Sequence, residues 1–305
     1  MRIAIFGTGA VGGYFGGRLA QAGQEVVFIA RGENLNAIRQ KGLRVDSIEG
    51  DFTLPEVEIT DDPTAVGPVD TVIVGVKTWQ LPEAIELMRP MIGADTAVLP
   101  LLNGVEASAQ LIDQLGKHRV LGGLAKIICS LAEPGYIRHV GAKPYIALGE
   151  LDNRRSKRID RLQQVLTDAG VTVEIPPNID AALWAKFLFV VSWGGVGTIT
   201  RAPIGTLRDI PQTRKMLEQA MTEIFNVAMA RKVHLPEDII SGTMAFVDTL
   251  PAWYHFDAAR YCRRPVIGNR SLERCRCSPR SGSRRGDTAA YIYIPQSASC
   301  LLYTS

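Results

Sequence analysis

Apolar residues fill positions 2–6, and the glycine-rich stretch Gly7-Thr8-Gly9-Ala10-Val11-Gly12 follows at once. Val11, Phe15, Leu19 and Ala22 then recur at helical spacing up to Gly23, where a helix would stop. A second strand is expected over 25–29. Further apolar, β-branched runs predict strands over 69–76, 97–101, 120–129, 145–148 and 171–175. Helical periodicity separates many of them, over 81–91, 106–115 and 156–169. Strands alternating with helices predict an α/β fold, a Rossmann-type doubly wound parallel sheet covered on both faces. The hairpin-like stretch 122–150 is expected to add antiparallel strands at one edge.

After Pro176-Pro177 the pattern changes. Residues 180–193 and 213–232 read as helices, and another helical run begins at Pro236 and passes Met244. Nothing beyond 178 reads as a strand. The expected organisation is a Rossmann domain over 1–177 and an all-helical substrate or dimer domain over 178–252. The oligomeric state stays open, with a homodimer one option.

Composition changes this picture in one place. With 46% hydrophobic and 21% charged residues the chain is that of a globular protein. No stretch approaches 18 uncharged apolar residues, so no membrane span is expected. Met1 leads straight into a strand, which leaves no room for a signal peptide, and a cytoplasmic location is expected. Residues 1–252 carry 25 Lys and Arg against 28 Asp and Glu, whereas the last 53 carry nine Arg, no Lys and three acids. Four of the five cysteines (Cys262, Cys275, Cys277, Cys300) also lie there. They form no CxxC pair, His255 is the only histidine nearby, and no aromatic-basic module accompanies the arginines. Metal and nucleic-acid readings are therefore set aside.

The GxGxxG pattern gains meaning from its setting, after a strand and at the opening of a helix. Gly7 permits the tight turn, Gly9 lets the backbone approach a pyrophosphate, and Gly12 lets the helix pack close to the sheet. The helix N-terminus adds unpaired N–H groups for the phosphates, from Thr8, Ala10 and Val11 among others. A glycine-rich turn without a ligand would look the same locally. At the end of the second strand stands Ala30-Arg31, a cation where an NAD enzyme would carry an acid for the ribose hydroxyls. Arg31 thus favours NADPH/NADP+ as the ligand of the 1–177 domain, although an ordinary surface arginine remains the alternative.

Ligands on such sheets bind beyond the carboxyl ends of the strands. Lys77 follows one strand and Asn103-Gly104 another, where each could contact cofactor and substrate or simply cap the next helix. Lys186 interrupts the apolar run Leu-Trp-Ala-Lys-Phe-Leu-Phe-Val-Val. Most such lysines snorkel to the surface. One that faced a cleft would lose proton affinity by desolvation and could serve as a proton donor.

Taken together, Gly7–Gly12, Val-Lys77-Thr-Trp-Gln, Asn103-Gly104 and Leu183-Trp-Ala-Lys186 resemble ketopantoate reductase (2-dehydropantoate 2-reductase) over residues 1 to about 250. The resemblance implies NADPH-dependent reduction of 2-dehydropantoate to pantoate, on the route to pantothenate and coenzyme A. It implies Lys186 as general acid, Asn103 and Lys77 at cofactor and substrate, and Arg31 at the 2′-phosphate. Well-studied members carry asparagines one and two turns after the lysine, where this chain has Val190 and Gly194. That departure leaves room for another 2-keto acid as substrate. A non-catalytic NADP-binding protein is the alternative from a different class.

The resemblance stops at Leu250-Pro251-Ala252. Freely chosen codons from Trp253 onward, read one base later, can spell GTTSMQRDIADGRSSE, WNGAVVR and AGVETPPHTFIYHSLLP, which resemble the family's C-terminal helices. The resemblance also implies a glutamate and a serine in the last third, which this chain lacks in the expected context; the bases under Ile267, Gly268 and Asn269 would then encode that glutamate. The closing Cys-Leu-Leu-Tyr-Thr-Ser matches a translated sequencing-library transposon end. Residues 253–305 are accordingly read as an out-of-frame tail, against a divergent basic extension as the alternative. A DNA read across codons 250–305 separates the two.

Overall fold

The computed structural model describes residues 1–252. The tail reading for 253–305 lies outside the described residues. The first elements are β1 (Arg2–Phe6), α1 (Ala10–Gln21), β2 (Glu25–Ile29), α2 (Gly32–Lys41), β3 (Leu43–Ser47), β4 (Phe52–Leu54) and β5 (Glu58–Thr60). There follow β6 (Thr71–Val74), α3 (Leu81–Met88), β7 (Ala97–Pro100), α4 (Ala107–Leu115), β8 (Leu121–Glu133) and β9 (Tyr136–Glu150). The chain continues through α5 (Lys157–Asp168) and β10 (Thr172–Glu174) into α6 (Ile179–Thr200), α7 (Ile204–Asp209), α8 (Pro211–Ala230) and α9 (Ile239–Thr249).

Five strands form a parallel sheet in the order β5-β2-β1-β6-β7, the doubly wound arrangement expected from the sequence. Alternation along β1 explains why both faces are covered. Ile3 and Ile5 enter one core with Phe15 and Phe28, while Ala4 and Phe6 enter the other with Leu81, Met88 and Leu111.

The stretch 122–150 does not extend an edge of that sheet as expected. β8 and β9 pair with each other in a second sheet, of order β10-β9-β3-β4 with β8 against β9. β9 takes β3 as parallel partner along 136–139 and β10 along 145–147. A single parallel bridge between Val98 and Val120 joins the end of β7 to the start of the hairpin. The reason is α1, which lies between the two sheets and holds them apart. Its Gly16 faces Ile5 and Phe28 of the first sheet, and its Gly13 faces Ile137 of the second. A side chain at either position would overlap those residues, so a helix slim on two flanks is what lets both sheets close on it.

Beyond 178 every described element is helical, as expected. α6 starts at Asn178, whose side chain accepts from Ala181 N–H at 3.0 Å, and runs to Thr200, seven residues past the expected end. Gly194, Gly195 and Gly197 do not stop it. Gly194 and Gly197 are buried with Trp193 and Val196, and this packing outweighs a propensity cost of about 1 kcal/mol per glycine. By length and composition α6 could cross a membrane. In the fold its Trp184, Leu188 and Trp193 share a core with Leu207, Leu217 and Met221 of α7 and α8. Ile179 joins Leu124 and Ala147 in a small cluster that docks α6 on the second sheet.

Candidate active site

The glycine loop sits at the carboxyl end of β1 and is fastened to β2. Ile29 carbonyl oxygen accepts from Gly7 N–H at 3.2 Å, from Thr8 N–H at 3.1 Å and from the Thr8 hydroxyl at 3.0 Å. Gly7 holds φ +100°, and a side chain there would collide with Val76 backbone and side chain. Gly12 packs directly on the Gly7 carbonyl, and Gly75 at the end of β6 packs on Gly12. Three glycines therefore meet where α1, the loop and β6 converge. Gly75 carries no local signature that could have announced this role.

Two observations suit this loop to a dinucleotide. Gly9, the residue before α1, has φ −87°, and a Cβ added there would meet nothing within 4 Å. No side chain caps the N-terminus of α1, so Ala10, Val11 and Gly12 keep the outward N–H groups that a helix cannot pair internally. Open space over an uncapped helix end is what a pyrophosphate requires. Asn34 of α2 steadies the loop, donating to Thr8 carbonyl oxygen at 2.5 Å and accepting from Gly135 N–H at 2.8 Å. Sequence reasoning missed Asn34, because its partners lie 26 and 101 residues away.

Arg31 follows β2 and immediately precedes α2, at the mouth of the cradle. Its guanidinium is exposed and pairs with Glu83 in the first turn of α3, Nη1 to Oε1 2.8 Å. A phosphate at this place would therefore compete with a carboxylate. Lys77 lies three residues past β6, and its backbone N–H donates to Gln80 Oε1 at 3.1 Å. The next hydroxyl, Thr78, is buried without a hydrogen-bond partner.

Lys186 and Asn103 meet. The Lys186 ammonium donates to Asn103 Oδ1 at 2.5 Å, across 83 residues of chain. α6 carries the lysine, and the loop after β7 carries the asparagine. Around them Leu102, Leu124, Leu183, Phe187 and Val190 line a small cleft. It encloses about 10 Å³, room for little more than a water molecule. Lys77 stands outside this lining. Burial pulls the Lys186 pKa from its ordinary 10.5 down to about 7, and the nearby Lys126 ammonium pushes the same way. The cleft thus offers an ionisable N–H at neutral pH, aimed by an amide and walled by hydrocarbon.

Residues 3–153 match the family described as Ketopantoate reductase PanE/ApbA, and residues 178–256 match its C-terminal counterpart. A 2-dehydropantoate 2-reductase from Nostoc sp. is 32% identical over 250 residues, covering 80% of this chain and 78% of the relative. An uncharacterised oxidoreductase, YkpB of Bacillus subtilis, is 30% identical, with 85% and 84% covered. Among solved structures, 2-dehydropantoate 2-reductase from Geobacter metallireducens is similar with a TM-score of 0.78 at 32% identity, covering 83% of this chain and 84% of that one. With its cofactor cradle at the first strand and an all-helical unit carrying a lysine into the cleft, the chain belongs to the ketopantoate reductase family of NAD(P)-dependent oxidoreductases.

Proposed function

We propose that the chain reduces 2-dehydropantoate to pantoate with NADPH, Lys186 acting as the general acid. The observation that carries this reading is the Lys186–Asn103 hydrogen bond at 2.5 Å inside an apolar cleft beyond the carboxyl end of β7. Gly7, Thr8, Gly9, Ala10, Val11 and Gly12 would hold the pyrophosphate on the loop and the first turn of α1. Arg31 would take the 2′-phosphate once Glu83 yields it. Lys77 and Asn103 would contact cofactor and substrate. When bound, NADPH supplies the hydride. Lys186 gives its proton to the carbonyl oxygen as that oxygen gains charge, Asn103 fixes the direction of the ammonium, and the apolar walls exclude competing water.

A second reading, reduction of another 2-keto acid, is favoured by Val190 in the cleft lining. NADPH oxidation measured with 2-dehydropantoate and a panel of 2-keto acids decides between them. NADPH binding with no turnover of any acid in the panel would instead leave a non-catalytic NADP-binding protein, and unchanged turnover in Lys186→Ala would remove the lysine from the chemistry.

Two variants test the cofactor assignment by equilibrium binding. Gly9→Ala is expected to leave the melting temperature unchanged, because the new methyl meets no protein atom. It should weaken NADPH at least about tenfold by intruding where the pyrophosphate approaches. A variant that binds normally would remove the phosphate from this loop. Arg31→Ala is expected to weaken NADPH about tenfold and NADH far less, since an exposed charge-assisted contact of roughly 1.4 kcal/mol is one factor of ten. Equal losses for both cofactors would contradict the 2′-phosphate role.

A further inference from the structure

Side chains on a strand alternate between faces. Along β8 this sets Gly122, Leu124 and Lys126 on one face, ahead of the register shift between Lys126 and Ile128. The first two positions show what that face meets. A side chain at Gly122 would overlap Ile179 of α6, and Leu124 packs with Ile179 and lines the cleft beside Lys186. Lys126 is the next residue on the same face. Its ammonium sits 4.7 Å from the ring centroid of Tyr145, its register partner on β9. The Tyr145 hydroxyl in turn donates to Glu174 on β10. Among the described residues Lys126 forms no ion pair, although other exposed cations of the chain do. A ring face anchors its stem and leaves the charge available.

We propose that Lys126 binds the carboxylate of the substrate, so that the cleft selects compounds with a carboxylate beside the reducible carbonyl and an apolar remainder. This rests on the carbonyl-reductase reading above and names the recognition element within it.

A 2-keto acid brings a full negative charge into a cleft walled by five apolar side chains, and an unpaired buried carboxylate is costly. Asn103 and Lys186, the polar residues of the lining, are engaged with each other. One and two turns beyond Lys186 on α6 stand Val190 and Gly194, whose side chains offer no hydrogen bond. Lys126, exposed and outside the lining but next after Leu124 on the same face of β8, supplies the missing charge. The arrangement also serves the proton transfer. Free of substrate, the Lys126 charge repels that of Lys186. A carboxylate on Lys126 cancels this repulsion and favours the protonated Lys186 when a carbonyl is in place to receive the proton. The contrary reading is a surface lysine that merely rests on Tyr145.

The test uses the full chain loaded with NADP+, with binding measured calorimetrically for 2-dehydropantoate, 2-oxoisovalerate and the uncharged amide of the latter. Lys126→Gln is expected to weaken both acids about tenfold or more, to leave the amide and NADPH unchanged, and to leave the melting temperature unaltered because the residue is exposed. Lys126→Arg should retain acid binding within about threefold, since the positive charge is kept. Where turnover is measured, KM for the acids should rise while kcat changes little. Acids bound equally by wild type and Lys126→Gln would overturn the proposal and leave the reductase reading intact. Equal weakening of acids and amide would overturn it as well, pointing to a shape effect. A wild-type chain that bound neither acid would overturn the reductase reading itself, and this proposal with it.

Discussion

Lys186→Ala is expected to lower kcat by about 10²–10⁴-fold, the usual contribution of a positioned general acid, while NADPH affinity stays within about twofold because the cradle lies on other elements. The same lysine sets the pH response. The proton donor must carry its proton, so kcat/KM of the unaltered chain should fall as pH rises through about 7, where Lys186 titrates. A flat profile across that pH, or full activity in the alanine variant, would remove Lys186 from the chemistry. Stability should move in the opposite sense. The folded chain releases this proton near pH 7, whereas an unfolded lysine holds it to about 10.5. Between those values the unfolded state binds more protons, so this residue's contribution to stability rises with pH across the window and is lost as pH falls through 7. Lys186→Met should therefore melt higher than the parent at neutral pH. The residue that would perform the reaction strains the fold that holds it.

Gly12→Ala carries the second large expectation, a fall in melting temperature of about 10 °C or a failure to accumulate as folded protein. The added methyl would overlap the Gly7 carbonyl oxygen and press on Ile5. Gly7 is tied to β2 through its own N–H, which donates to Ile29 carbonyl oxygen, and its Cα faces Val76, so the loop has little room to retreat. Overpacking of a fixed core costs about 1–3 kcal/mol and occasionally more, and each kcal/mol is worth about 2–4 °C for a chain of this size. Thermal unfolding followed by circular dichroism measures the effect. A variant melting with the parent would mean that helix and sheet are less closely packed than described. Gly9→Ala is the natural control, three residues earlier in sequence yet facing empty space.

The parts of this molecule legible in its sequence are those whose signal is local. β1, the glycine loop and α1 announce themselves within 21 residues, since strand alternation, loop glycines and helical spacing follow one another directly. Lys186 and Asn103 stood out separately, each as a polar residue in an apolar run, but their contact did not, because nothing short-range records a pairing across 83 residues. β3 and β4 were missed for a related reason. Each is three to five residues long, and Val45 finds its register partner Ile137 only on β9. Arg31 was placed correctly at the end of β2, yet its carboxylate partner Glu83 lies on a helix that begins two strands later in the sheet. Sequence periodicity reports which face of an element is buried. It does not report which other element does the burying.

The glycine-flanked α1 has a consequence for motion. A helix enclosed by two sheets, with Tyr14, Phe15 and Leu19 fully buried, cannot fray or tilt by itself. Beyond its open first turn, its amide protons can reach solvent only when the sheets around it separate, so hydrogen exchange from Gly13 onward should be slow and governed by opening of the whole sheet assembly. The proposed phosphate cradle is then rigid before any ligand arrives. Whatever adaptation accompanies binding is then expected from the Arg31–Glu83 rim or from the approach of α6 toward β7, and not from the helix proposed to receive the phosphates.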